Sequence, residues 1–300
     1  MTTTPPATRH AHPALVRACA AVGLDPAGAT LVQRSVNTVY RLASAPVVVR
    51  IRGGGPTPEA IAQVGLARSL AAAGGPVSRL LEVDQLVEAG GYVATFWHAD
   101  DEPDRKWRTD NLGRALRELH AVELTTDLPP WAPLETCRRR LAAVEWVDPA
   151  DRAWLAAEIE DLESRYREVA PTLHMGLMHG DAHIANLLRA GDGRPVLCDI
   201  DSLARGPQVQ DLVPTAVSAV RFRTRRRQQV MAATYGVDVT RHPAWPVLRR
   251  IRELVTTMFG LVGAPNNPQV AREAHHRLRT LQDGDTAARW YSYQSGPSGS

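Results

Sequence analysis

One segment constrains this chain more than any other. It reads His179-Gly180-Asp181-Ala182-His183-Ile184-Ala185-Asn186-Leu187-Leu188, and after a polar turn Cys198-Asp199-Ile200-Asp201-Ser202. An aspartate, an asparagine five residues on and a further aspartate thirteen beyond that have to be gathered by one loop and one strand end. Gly191-Asp192-Gly193 is a strong turn signal between them, and Pro195-Val196-Leu197-Cys198-Asp199-Ile200 reads as a short buried strand. The spacing therefore predicts a loop, a hairpin and a strand end that carries a carboxylate.

These residue types share a chemical use. Phosphoryl transfer leaves little covalent work to the protein. It needs a carboxylate to orient and deprotonate the acceptor hydroxyl, and oxygen ligands to clamp Mg²⁺ against the phosphates. Asp181 fits the first role, and Asn186 and Asp199 fit the second. The tripeptide His-Gly-Asp alone often does no more than stabilise a turn. The full pattern, continued by Gly206-Pro207 and Asp211-Leu212, is far more specific.

At these residues the chain resembles the aminoglycoside phosphotransferase and choline kinase group, a branch of the protein-kinase-like fold. HGDAHIANLL matches the family's catalytic loop and CDIDSLARGPQVQDL its metal strand. Upstream, Asn37-Thr-Val-Tyr-Arg-Leu42, Val47-Val-Val-Arg-Ile51, Thr95-Phe-Trp97 and Leu116-Arg-Glu-Leu-His120 look like its second strand, third strand, interlobe hinge and first large-lobe helix. The resemblance implies an α+β, bilobal fold with a small antiparallel-sheet N-lobe carrying one main helix and a larger, mostly helical C-lobe. It implies a nucleotide-binding lobe over residues 1–97 and a catalytic and substrate-binding lobe over 98–300. It also implies ATP or GTP with Mg²⁺, and transfer of the γ-phosphoryl group to a hydroxyl of an aminoglycoside-like or other antibiotic, or of a related metabolite.

Residue by residue, the resemblance makes Asp181 catalytic and Asn186 and Asp199 the metal ligands. The interval to Asp211 favours Asp199 over Asp201 as the principal metal aspartate. Nucleotide contacts fall on Ser35, Asn37, Arg50, Phe96 and Trp97, with His179, His183, Asp201 and Gln63 in support. Asp211, Glu253 and Glu273 are the acidic candidates for the acceptor side.

Two departures stand out. Lys106 is the only lysine in the chain and lies in a polar turn past the hinge, so Arg50 takes the position of the family's phosphate-binding lysine. A guanidinium fork grips phosphate oxygens as well as an ammonium does. Alternation puts Arg50 and Arg52 on one strand face, with Val47, Val49 and Ile51 on the other, which leaves open which arginine points inward. In the next helix Gln63 stands where the family has a glutamate paired with that base, and Glu59, one turn earlier on the same face, offers a substitute.

Length and composition agree with this scale. Three hundred residues at 44% hydrophobic content suffice for two packed lobes. No apolar run approaches membrane-spanning length and no signal peptide opens the chain, so a cytoplasmic location is the default. Cys19, Cys137 and Cys198 are odd in number and widely spaced, which argues against a disulfide framework. Helical periods are predicted over 13–24, 57–73, 110–123, 133–147, 149–169, 208–220, 222–235, 243–262 and 267–283, strands over 30–52 and 77–97, and a flexible tail over 294–300.

The run Arg221-Phe-Arg-Thr-Arg-Arg-Arg227 lacks an aromatic array, and the net charge is only +3. It reads as a solvated helix face or a contact for an anionic substrate, not a nucleic-acid site. The expected partner is a small hydroxylated molecule, with neither nucleic acid nor membrane, and the chain is a monomer or a homodimer. Two rival readings follow from the same residues. His179, Asp181, His183, Cys198 and Asp199 suit a metal-dependent hydrolase, although Asn186 is unneeded there. Gln63 suits a nucleotide-binding pseudokinase.

Overall fold

The computed structural model describes residues 12–34, 37–101 and 108–293. Ser35, Lys106 and the tail from 294 onward lie outside the described residues. In chain order the elements are α1 (Pro13–Ala21), β1 (Thr30–Arg34), β2 (Asn37–Arg41), β3 (Val47–Gly53), α2 (Pro58–Ala72), β4 (Val87–Glu88) and β5 (Tyr92–His98). Then come α3 (Thr109–His120), α4 (Pro133–Ala143), α5 (Pro149–Val169), β6 (Met175–Met178), β7 (Leu187–Arg189) and β8 (Pro195–Leu197). The chain continues through β9 (Ala204–Pro207), α6 (Val213–Arg221), α7 (Arg225–Tyr235), α8 (Trp245–Gly263) and α9 (Pro268–Gln282).

The described chain divides into two compact units that interleave along the sequence. The first takes residues up to 101 with 122–127 and 186–201, and the second takes 108–121, 128–185 and 202–293. The β7–β8 hairpin therefore groups with the sheet although it lies far downstream of it.

In the first unit five antiparallel strands run in the order β1-β2-β3-β5-β4. Period-two alternation in β3 sends Val47, Val49 and Ile51 into a core shared with Tyr40, Phe96 and Leu15 and Cys19 of α1. Arg50 and Arg52 consequently stand on the opposite face. The turn signals act as the sequence suggests: the Thr57 hydroxyl caps α2 by accepting from the Ala60 N–H at 3.2 Å, Pro58 opens the helix, and the left-handed Gly74 closes it.

In the second unit α8 is the central element. Val247, Leu248, Ile251, Leu254, Met258 and Leu261 recur at helical spacing and are buried. Most of that stripe joins a core with Leu155, Ile159 and Leu162 of α5, Leu278 of α9 and Trp290. The predicted helix over 208–220 is interrupted, because Pro214 cannot donate its backbone nitrogen. The chain makes a 3-10 turn over Gln208–Leu212 and begins α6 only at Val213. Among the described residues no helix is long and apolar enough to cross a membrane.

Ile251 is fully buried at the middle of α8. Ile251→Ala should cost about 2–5 kcal/mol of stability in urea unfolding, the range for a large-to-small change in a closely packed core. A loss below about 0.5 kcal/mol, the usual effect of a surface change, would show that α8 is not the packing centre.

Candidate active site

The first unit carries the hairpin and the sheet face that looks onto it. In the hairpin Leu187 pairs with Leu197 and Leu188 with Val196, and the Cys198 N–H donates to the Asn186 carbonyl at 2.9 Å. That last bond sets Asn186 and Asp199 side by side at the open end of the ladder. Asp199 has φ 56°, a left-handed conformation uncommon outside glycine and met where the fold over-determines a residue's direction. Burial, with the Asp199 charge, pushes the Cys198 thiol up to about 12, so the sulfur stays protonated and serves as packing.

Arg50 settles the choice left open by strand alternation. Its guanidinium forks onto both carboxylate oxygens of Asp201, with Nη1 at 2.8 Å from Oδ1, and Nη2 lies 3.4 Å from Asp199 Oδ1. With its amide oxygen turned toward the guanidinium, Asn37 accepts from Arg50 Nε at 2.9 Å. Arg52 reaches the Thr57 hydroxyl at 3.4 Å instead of the aspartates, and it lines the same cavity as Arg50. Gln63 donates to the Asp201 carbonyl at 3.3 Å. Glu59 does not stand in for the family glutamate: its exposed carboxyl is held low by its own backbone N–H and the Thr57 hydroxyl, at the start of α2. The anionic partner of Arg50 is Asp201.

A cavity of about 50 Å³ lies between the sheet face and α2, with Asn37, Arg50, Arg52, Gln63, Trp97 and Asp201 in its wall. Trp97 belongs to that wall, while Phe96, its neighbour in β5, points the other way. The Phe96 ring is fully buried in the core and its backbone N–H and carbonyl are taken by Gln85 and Leu81. Its side chain therefore does not reach the cavity in which it was expected.

The second unit carries the His179-Gly180-Asp181 loop. Asp211, 1% exposed, accepts from the His179 N–H at 2.6 Å and the Gly180 N–H at 2.9 Å. It also lies 3.0 Å from His120 Nε2, and His120 Nδ1 is 2.7 Å from the Tyr235 hydroxyl. Gly180 has φ 84°, and a Cβ there would sit 2.2 Å from the Ser202 carbonyl oxygen, so no other residue fits this bend. The bend delivers Asp181 to two nitrogen groups: Arg252 Nη1 lies 2.9 Å from its Oδ1 and His183 Nε2 3.6 Å from its Oδ2. Burial alone would raise the Asp181 carboxyl. The His183 hydrogen bond and the charges of Arg252 and His183 outweigh it and hold the group well below the usual carboxylate range.

The three acids expected on the acceptor side are committed to the chain itself. Asp211 braces the loop as described. Glu253 is 2% exposed and holds Arg221 at 2.7 Å and Arg249 at 2.9 Å, and Glu273 holds Arg277 at 2.8 Å. Among the described residues no three His, Cys, Asp or Glu side chains are grouped to hold a metal ion, so the His/Asp hydrolase reading lacks its ligand set. Sequence reasoning missed Arg252 and Tyr235. Arg252 sits in an arginine-rich helix with nothing local to distinguish it, and Tyr235 shows its use only through His120.

The chain matches the phosphotransferase enzyme family over residues 31–253, more than half its length, and it belongs to that family. Solved structures agree on the fold. A choline/ethanolamine kinase family protein from Mesorhizobium loti is 21% identical, with 90% of this chain and 94% of that one covered at a TM-score of 0.62. The aminoglycoside phosphotransferase APH(3'')-Id from Streptomyces rimosus is 16% identical over 80% of this chain and 97% of that one, TM-score 0.59. Spectinomycin phosphotransferase APH(9)-Ia, solved with ADP and spectinomycin, is 16% identical over 87% and 91%, TM-score 0.57. Among curated proteins, none matches the chain. The mixed fold of an antiparallel sheet followed by a helical unit is thus that of the kinase-like phosphotransferases.

The depressed Asp181 carboxyl has a definite sign. Its ion pair with Arg252 stabilises the folded state above the ordinary aspartate range, and that contribution is lost as pH falls through the lowered folded value. Arg252→Gln removes a lowering cause and leaves the burial. In a carbon-13 NMR titration of the side-chain carboxyl, assigned by difference against Asp181→Asn, the wild-type signal should titrate below the ordinary range and move up in Arg252→Gln. An unmoved titration refutes the role given to Arg252.

Proposed function

We propose that this family member is a small-molecule O-kinase that moves the γ-phosphoryl group of a nucleoside triphosphate to an acceptor hydroxyl. The observation that carries this reading is the braced glycine bend of the HGD loop, which presents a carboxylate kept ionised by Arg252 and His183. Asp181 orients the acceptor hydroxyl and receives its proton. The acceptor oxygen forms the new bond to phosphorus while the bond from the γ-phosphorus to the bridging oxygen breaks, and the nucleoside diphosphate leaves.

Asn186 and Asp199, an amide and a carboxylate oxygen, suit a hard cation of the Mg²⁺ type, and they are the residues that would hold it. When bound, the ion supplies charge neutralisation on the phosphates. Asn37, Arg50 and Trp97 in the first cavity are the proposed nucleotide contacts, Arg50 as a guanidinium that releases part of its hold on Asp199 and Asp201 to meet phosphate oxygens. Gln63 acts on the Asp201 backbone, so the missing glutamate leaves the site with an arginine–aspartate pair in place of the usual one. That pair favours a working enzyme over a pseudokinase.

The test is a coupled assay of nucleoside diphosphate release across hydroxylated antibiotics, sugars and hydroxy acids, with mass spectrometry of the products. With an accepted substrate, Asp181→Asn should lower kcat by about 10²–10⁴-fold, the usual worth of a positioned general base. Nucleotide affinity, read by calorimetry, should stay within about threefold, since the carboxylate acts on the acceptor. Full turnover in the variant would remove Asp181 from this role.

A further inference from the structure

The second unit has a cleft of about 180 Å³ whose lining carries arginines and no carboxylate. Its wall holds the guanidinium groups of Arg227, Arg252 and Arg277 and the imidazole of His183, and no carboxylate is among those that line it. Arg277 is the least available of them. It is 3% exposed, neutralised by Glu273 and stacked over the rings of Trp290 and Tyr293 at 4.8 and 3.9 Å. Arg227 is the opposite case, exposed and with no carboxylate partner among the described residues. Arg252 connects the cleft to the reaction, because the same guanidinium that lines it lies 2.9 Å from Asp181.

The Thr224 hydroxyl oxygen is shut off from solvent and has no hydrogen-bond partner among the described residues. With no accessible surface it does not meet a molecule in the cleft, so it is an internal unsatisfied hydroxyl and not a ligand contact. Phe222 and Trp290 add apolar surface beside it.

A polycationic acceptor needs a carboxylate-lined pocket and here would meet Arg227, which has no carboxylate partner among the described residues, since Asp211, Glu253 and Glu273 are spent inside the fold and Asp181 is paired with Arg252. We infer that the cleft takes a small hydroxylated molecule bearing an anionic carboxylate and an apolar body, with Arg227 reading the charge. This deepens the kinase reading and rests on it for the fate of the hydroxyl. The charge selectivity can be measured without turnover.

The experiment uses three matched probes on the full chain: phenyllactate, its neutral amide phenyllactamide, and the cationic amine 1-amino-3-phenylpropan-2-ol. By calorimetry, phenyllactate should bind on the order of tenfold tighter than the amide, with the amine weakest. Arg227→Ala should abolish the preference for the acid over the amide, and Arg227→Lys should keep most of it. The inference is overturned if the amine binds as well as the acid, if none of the three binds, or if Arg227→Ala leaves the order unchanged. Phosphorylation of phenyllactate with Mg·ATP, followed by mass spectrometry, is read separately. Selective binding without transfer would count against the kinase reading and leave the cleft assignment standing, and transfer to the amine in preference to the acid would do the reverse.

Discussion

The carboxylate of Asp211 is the point on which the His179-Gly180-Asp181 loop hangs. Two successive backbone N–H groups, those of His179 and Gly180, need an acceptor at a bend where no secondary structure supplies one. A carboxylate that is 1% exposed gives them one, and His120 with Tyr235 behind it keeps that charge from lying bare in the interior. The left-handed Gly180 follows from the same geometry, because the chain closes to 2.2 Å of the Ser202 carbonyl at the position of a missing Cβ. Asp181 owes its direction to this arrangement. An acid expected to meet the acceptor proves instead to hold the residue that would act on it.

A second constraint is the near absence of lysine. Asp151, Glu253 and Glu273, buried acids of the helical unit, are met by arginine, whose planar fork forms several directed bonds at once and loses less hydration than an ammonium does. Glu253 thereby ties Arg221 and Arg249 together, and Glu273 fixes Arg277 under Trp290. These three acids are thereby taken up by internal pairs and do not line the cleft of the second unit. In the sheet unit the same chemistry gives Arg50 two aspartates in place of a helix glutamate.

The sequence made the loop, hairpin and strand end legible because their signals are local: two glycines at the turn, a fixed offset from Asp181 to Asn186, and alternation in β3. Alternation also put Arg50 and Arg52 on one face, but only tertiary structure shows Arg50 at Asp201 and Arg52 at Thr57. Phe96 was legible as strand and misread as contact, since its parity in β5 sends the ring into the core while Trp97 faces the cavity. Asp211 and Glu253 depend on partners tens of residues away, His179, Gly180, His120 and Arg221; Glu273 pairs within its own helix, with Arg277, but burial, which decides whether an acid is a brace or a binding group, is not written in that spacing. Ser35 lies outside the described residues.

The central claim is that the Asn186 and Asp199 pair with Arg50 receives a nucleotide on a divalent cation. Calorimetric titration with a non-hydrolysable ATP analogue tests it directly, with and without Mg²⁺, in the wild type and in Asp199→Ala. The account predicts one site whose affinity depends on the cation and falls by at least about tenfold in the variant, the scale expected for loss of a charged ligand to the bridging ion. Nucleotide binding that ignores both Mg²⁺ and Asp199, or no nucleotide binding at all, would contradict it.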